Sequence, residues 1–192
     1  DRNEILDAEA QFSQAISLLN SALDNEILNP VAPAFGDVFA NMGDIHFFVT
    51  ANRVMAKEMY QRAEQIYDRT PPSVDYKLAF LSYSDGDYLE ALRRLTRLDQ
   101  ALPANENLLF ARGNAFYSRG DYFVAQGYYL RLLNMLETRR DRIPVLRIRE
   151  NADHHALVDG LMKAYNNLGV TLKELADLDG TQKLLRETGI LP

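Results

Sequence analysis

Apolar side chains recur at intervals of three and four residues along most of the chain, which is the spacing of one face of an α-helix. Tyr76, Phe80 and Tyr83 form one such face. A second helical stripe starts just after residue 87. Proline-containing stretches at 29–33 and 70–73 interrupt the pattern. The pattern predicts an all-α chain in which helices are joined by short turns.

Two stretches repeat each other at a distance of 34 residues. Four residues of the first copy recur in the second, at Gly86/Gly120, Asp87/Asp121, Tyr88/Tyr122 and Ala91/Ala125. A glycine here can end one helix in the left-handed conformation, and the following aspartate can cap the next helix. Small residues at Ala79 and Gly113 are expected where two paired helices approach closely. Each copy is therefore predicted to be a helix hairpin.

These residues resemble the tetratricopeptide repeat (TPR) family, most fully in the stretch GNAFYSRGDYFVAQGYY within 106–139. The resemblance implies a right-handed superhelical solenoid of antiparallel helix pairs, with three repeats at 36–71, 72–105 and 106–139. The first repeat fits only with one extra residue in the turn Thr50–Arg53, which lacks Gly-Asp. Residues 1–33 are expected to hold an N-terminal cap or half repeat and a linker, and residues 140–153 an arginine-rich insert. Residues 154–192 are expected to form a degenerate fourth repeat and a C-terminal cap.

In TPR proteins the first helix of each pair lines the concave side, so the resemblance implies a groove rich in aromatic rings. Its predicted lining is Phe47, Tyr76, Phe80, Tyr83, Phe110, Asn114 and Tyr117. Aromatic rings give large contact areas at low entropic cost. We expect an apolar or amphipathic peptide or helix as partner, with Asn114 holding a main-chain amide. Alternatively, the rings are core, covered by the N-terminal helix or a neighbouring subunit. The basic residues that grip chaperone tails in one TPR subclass are missing from these positions.

A second candidate surface is a basic cluster near the end of the third repeat, with Arg139, Arg140, Arg142, Arg147 and Arg149. Arginine forks suit carboxylates, so the cluster is a candidate contact for an acidic partner. The alternative is a solvated loop whose arginines pair with nearby acidic side chains. No aromatic residues lie among these arginines, which disfavours nucleic acid.

Composition narrows the classes further. The chain has 192 residues, a net charge of −6 and no cysteine, which excludes a thiolate nucleophile and gives no general attraction to nucleic acid. No apolar run is long enough for a transmembrane segment. The chain begins at Asp1 without a methionine, so we expect a fragment or a processed product.

No catalytic or cofactor motif is found, so neither an enzyme, a metal site nor a cofactor is expected. His46 lies mid-helix and is expected to be a buried structural imidazole, while the adjacent His154 and His155 lack chelating spacing. The leading hypothesis is a non-catalytic protein-binding scaffold. One alternative is a structural subunit that packs through its repeat ends and leaves oligomerisation open; AYNNLGV (164–170) is similar to TPR units of spirochaete flagellar-motor collar proteins. Another is a regulatory domain of a larger enzyme or transcription factor.

Overall fold

The fold was analysed in a computed structural model. It describes residues 32–103, 105–141 and 152–187, together with single helical positions between 7 and 21. Every element within these ranges is a helix, and no strand occurs among them. The predicted all-α class is confirmed for this part of the chain. Most of the predicted N-terminal cap and linker (1–33), and residues 142–151 of the arginine-rich insert, lie outside the described residues.

The described elements are seven α-helices and one π-helical turn. They are α1 (Ala32–Asp44), the π-helical turn (Ile45–Val49), α2 (Arg53–Ile66), α3 (Pro72–Ser84), α4 (Tyr88–Ala101), α5 (Glu106–Ser118), α6 (Tyr122–Asp141) and α7 (Ala152–Glu187). The chain divides into two compact units, Asp1–Arg94 and Leu95–Pro192, with the boundary inside α4.

The first unit is built where α2 packs against α1 on one side and α3 on the other. Phe39 and Met42 of α1 are buried against Met59 and Ala63 of α2. The opposite side of α2 is buried against α3 in a second cluster that contains Ala56, Tyr60, Val74, Leu78 and Leu81. The sequence makes this possible because α2 carries apolar residues on two faces rather than one.

In the second unit, α6 packs between α5 and α7. Its core consists of Leu109, Leu132, Leu133, Leu136, Leu157 and Ala164. Leu136 and Leu157 are at most 2% exposed. Burying an aliphatic side chain of this size contributes about 1.5–3 kcal/mol, so these contacts fix the three helices of the unit.

The two Gly-Asp turns have the predicted geometry. Gly86 and Gly120 have φ angles of 81° and 84°, in the left-handed region that glycine adopts without strain. The Asp87 amide donates to the Ser82 carbonyl at 2.9 Å, and Gly86 donates to Tyr83 at 3.0 Å, the bond pattern of a Schellman motif. The Asp87 carboxylate then accepts a hydrogen bond from the Glu90 amide, which caps α4.

The predicted fourth repeat is wrong as a helix hairpin. A break was expected near Asp177–Gly180, yet α7 runs without interruption from Ala152 to Glu187. Gly180 is followed by Thr181, whose hydroxyl donates to the Asp177 carbonyl within the helix. The turn signal that ends α3 and α5, a left-handed glycine followed by aspartate, is therefore absent here, and the helix continues.

Candidate functional site

Three phenylalanine rings gather at the end of the π-helical turn in the first unit, and we call Phe47, Phe48 and Phe80 the phenylalanine patch. The rings of Phe47 and Phe48 are 4.8 Å apart edge-to-face, and those of Phe47 and Phe80 are 5.6 Å apart. Phe48 is 68% exposed and Phe80 42%. The structure thus brings two predicted groove residues together and adds Phe48, which the sequence reasoning missed.

The backbone beside the patch is unusual in two respects. The turn Ile45–Val49 is π-helical, with Thr50 donating to the Ile45 carbonyl at 3.1 Å. Ala51 has a φ of 53°, which costs a non-glycine residue about 1–2 kcal/mol. Short π-helical segments and strained residues occur frequently at functional sites.

The other predicted residues of the first unit are less exposed. Tyr76 is half-buried, and burial raises its pKa. The Tyr83 ring packs on Tyr88 across the Gly-Asp turn, with centroids 5.5 Å apart. These two tyrosines share α3 with Phe80, and their rings are held by neighbours within the unit.

In the second unit, Tyr117 repeats the arrangement of Tyr83, because its ring packs on Tyr122 at 5.2 Å across the second Gly-Asp turn. Burial, together with the carboxylate of Glu174, raises the pKa of Tyr117. Phe110 is half-buried, with its ring 6.4 Å from Tyr129.

Asn114 is engaged within its own unit. Its Oδ1 accepts hydrogen bonds from the Tyr129 hydroxyl and from Nδ2 of Asn167, each at 2.8 Å. A Cβ atom on the neighbouring Gly113 would lie 2.5 Å from the Tyr129 ring, so that ring rests directly on the glycine. The predicted grip on a peptide amide requires the Asn114 oxygen, and this oxygen holds α5 to α6 and α7 instead.

The first hairpin contains the same construction. The Tyr60 ring rests on Gly43, where a Cβ would lie 2.5 Å away, and its hydroxyl donates to Asp44 at 2.6 Å. Lys77 of α3 forms an ion pair with the same carboxylate. Burial, and then the bond to Asp44, raise the pKa of Tyr60 well above its usual range. We call such a unit, a tyrosine on a glycine and bonded to the next residue, a Gly–Tyr contact.

A second Gly–Tyr contact lies two turns earlier on α1. Tyr67 rests on Gly36 and donates to Asp37 at 2.5 Å. Burial and the Asp37 carboxylate raise the pKa of Tyr67 above its usual range. The first hairpin is therefore fastened at two points and the α5/α6 hairpin at one.

An ion network ties three helices of the first unit together. Arg94 of α4 is 7% exposed, and its guanidinium pairs with both carboxylate oxygens of Glu64 at 2.8 and 2.9 Å. It also reaches Asp75 at 3.0 Å, and its Nε lies 2.7 Å from Glu90. Burial opposes the charge, but Glu64 and Asp75 raise the pKa of Arg94. This network keeps α3 and its Phe80 fixed against α2.

Two members of the arginine cluster are described. Arg139 pairs with both oxygens of Glu106 at 2.8 and 2.9 Å, and Arg140 pairs with the adjacent Asp141. Both are exposed. Arg142, Arg147 and Arg149 lie outside the described residues. A role in holding an acidic partner stays a prediction, and Arg139 already joins α5 to α6.

A shallow trough of about 360 Å³ lies along α6 and was not foreseen from the sequence. Its lining is Phe123, Val124, Gly127, Tyr128 and Arg131. A Cβ on Gly127 would meet nothing within 4 Å, so this glycine leaves the floor of the trough open. Phe123 is 78% exposed, which makes this a second apolar surface.

The histidines bear on the question of chemistry. His46 is buried as expected, at 6% exposure, and its Nδ1 lies 3.3 Å from the Thr50 hydroxyl. The rings of His154 and His155 are 6.4 Å apart. In the part of the chain that is described, no three histidine or acidic side chains gather as metal ligands. Nor does any helix there have the length and apolar character of a membrane span.

Comparison with known proteins adds information on the fold. No family model matches the chain, and no curated protein does. Among solved structures, the crystal structure of BtubC (BKLC) from P. vanneervenii is similar, with a TM-score of 0.50 and 20% sequence identity. The match covers 97% of this chain and 78% of that one. At this identity the likeness concerns the fold and carries nothing about function.

Proposed function

We propose that this chain is a non-catalytic scaffold of the TPR type that binds an apolar or amphipathic protein segment. The observation that carries the proposal is the phenylalanine patch. A ring that is 68% exposed and stacked edge-to-face on a second ring offers a large apolar contact at little entropic cost. The right-handed solenoid and the continuous groove implied by the family resemblance belong to this proposal as predictions.

The patch suits an amphipathic helix better than a charged segment. Phe48 and Phe80 supply the apolar contact, while Lys77 lies 5.9 Å from the Phe48 ring and offers a charge at its rim. Because Lys77 is already paired with Asp44, it defines an edge rather than a strong anchor. Helix-in-groove recognition uses apolar anchors of this kind at i, i+3 and i+4 of the bound helix.

The test is selection of binding peptides from a displayed random library against the 192-residue chain. The double variant Phe48→Ala/Phe80→Ala should weaken the selected peptides at least tenfold in titrations, since two anchors are removed. Phe123→Ala is the matched control, because it removes an equally exposed ring outside the patch. Circular dichroism should show unchanged helicity in all variants. Equal affinity for wild type and the double variant would contradict the proposal, as would failure to select any peptide.

A second candidate function, a structural subunit that packs through its terminal helix, is favoured by α7. Met162 and Leu172 of this helix are 67% and 44% exposed. A helix that displays large apolar side chains over several turns is typical of a surface that another helix covers.

A further inference from the structure

Helix α7 carries two apolar stripes side by side, and one of them is uncovered. The covered stripe contains Leu157 and Ala164, both fully buried, and packs on the core of the second unit. The uncovered stripe, which we call the α7 stripe, is displaced from it by one residue. Its members are Val158, Met162, Tyr165, Gly169, Leu172 and Ala176, and all six are exposed.

The spacing of the α7 stripe alternates between four and three residues over 18 positions. This is the repeat with which one α-helix meets another along a coiled-coil seam. The large side chains are far from buried: Met162 is 67% exposed, Tyr165 50% and Leu172 44%. The stripe therefore has the pattern of a helix–helix interface without its second helix.

Gly169 indicates what is missing. In α1 and α5, Gly43 and Gly113 each receive a tyrosine ring from the following helix, at 2.5 Å from a notional Cβ. A Cβ at Gly169 would meet nothing within 4 Å. Because α7 runs straight on to Glu187, its own end does not turn back to cover this glycine. The covering ring must come from a different helix.

We infer that the α7 stripe pairs antiparallel with the α7 stripe of a second copy of this chain. An antiparallel pairing centred on Asn167 sets Tyr165 of each copy opposite Gly169 of the other. The same register sets Met162 against Leu172, and the pair Val158 and Ala176 closes each end. The stripe is thus self-complementary, as a twofold interface requires, and large residues meet smaller ones on both sides of the axis.

Tyr165 is prepared for this role. Its hydroxyl donates to Glu137 of α6, which holds the ring at the edge of the stripe while half of its surface stays exposed. In the pair, this ring takes the place over Gly169 that Tyr60 and Tyr129 take over their glycines within one chain.

The first experiment measures mass by sedimentation equilibrium from low to high micromolar concentration. We expect a reversible dimer for the wild type and a monomer for Gly169→Leu, because the new side chain occupies the space of the tyrosine ring. Gly180→Leu is the matched control, since it makes the same change on the same helix outside the stripe. Neither variant should melt below the wild type, because both replace an open helical glycine. A wild type that stays monomeric, or a Gly169→Leu variant that still dimerises, overturns the proposal.

The second experiment tests the register. The chain contains no cysteine, so single cysteines can be introduced without interference. Tyr165→Cys protein mixed with Gly169→Cys protein should form an intermolecular disulfide under mild oxidation, and neither protein should do so by itself. Cross-linking within either single variant would show a parallel pairing and overturn the antiparallel one, as would the absence of any cross-link.

Discussion

In α1/α2 and in α5/α6, a tyrosine of the second helix rests on a glycine of the first, but the connection between the helices differs. Gly113 and Tyr129 are 16 residues apart, and their helices are joined by a relaxed turn at Gly120. Gly43 and Tyr60 are 17 residues apart. The first hairpin must therefore place one additional residue without disturbing the contact.

The additional residue is taken up by the π-helical turn. A π-helical bond spans five residues instead of four, so Ile45–Val49 holds one residue more per turn than an α-helix does. The chain then reverses through Ala51 in the left-handed region, and Asn52 caps α2 by accepting from the Met55 amide at 3.1 Å. The comparison teaches that the Gly–Tyr contact is the fixed part of the hairpin and the turn is the adjustable part.

The adjustment also places the phenylalanine patch, because Phe47 and Phe48 belong to the π-helical turn. A π-helical turn shifts the phase of the residues that follow, which turns Phe48 toward solvent. The corresponding turn in α5/α6 has no such ring cluster beside it, since Tyr117 packs on Tyr122. The strained hairpin is the one that carries the candidate binding surface.

The largest effect is expected from Gly43→Ala and Gly113→Ala. The new Cβ would lie 2.5 Å from a tyrosine ring that is at most 1% exposed and cannot move into solvent. Overpacking of about 1–3 kcal/mol outweighs the helix-propensity gain of up to about 1 kcal/mol, so we expect a net loss of about 1–2 kcal/mol in urea unfolding. Gly127→Ala, at an open helical site, should instead gain about 0.5–1 kcal/mol. If all three variants are stabilised alike, the Gly–Tyr contact does not set the helix distance.

Much of this fold could be predicted from the sequence, because turn residues act locally. The recurrence of Gly86 at Gly120 predicted two left-handed turns, and the small side chain of Gly113 predicted a close approach. The extra residue of the first hairpin was expected within Thr50–Arg53. Its place in the π-helical turn just before that range depends on the tertiary contact between Gly43 and Tyr60, which no local pattern contains.

The candidate site was harder to predict, because periodicity assigns a residue to a helix face but not to a partner. Asn114 was correctly placed on α5, yet its bonds to Tyr129 and Asn167 join residues up to 53 positions apart. Phe48 was missed because a regular helix continued through 45–49 would have given it a different direction. The signal that could have found it was the run FFV directly before a turn without Gly-Asp.

An intermediate effect is expected when the two turns exchange residue types. Gly120→Ala should cost about 1–2 kcal/mol, because φ is 84° there and alanine is strained in that region. Ala51→Gly should gain roughly 0.5–1 kcal/mol, since relief of strain exceeds the added chain entropy. Thermal melts of the two single variants and their combination would measure both terms. A loss of stability in Ala51→Gly would mean that the Ala51 side chain makes a contact that outweighs its strain.

The smallest effect concerns the acceptors of the tyrosine hydroxyls, which are carboxylates in α1/α2 and an amide in α5/α6. Burial and Asp37 raise the pKa of Tyr67 above its ordinary value of 10.0. The unfolded chain therefore releases this proton at lower pH than the folded one. The contribution of Tyr67 to stability is complete below about pH 10 and declines as the pH rises above it. Tyr67→Phe should cost less than about 1 kcal/mol at neutral pH, because the hydrogen bond is exposed.

The same variant should also flatten the alkaline decline, because the group that titrates has been removed. Urea unfolding between about pH 8 and about pH 11 would measure the slope for wild type and Tyr67→Phe. Tyr76→Phe serves as the control, since the pKa of Tyr76 is raised by burial and not by a carboxylate. An identical alkaline slope in wild type and Tyr67→Phe would show that Asp37 does not hold the proton on Tyr67. The hydroxyl would then add nothing beyond packing, and the carboxylate contacts of α1/α2 would be equivalent to the amide contact of α5/α6.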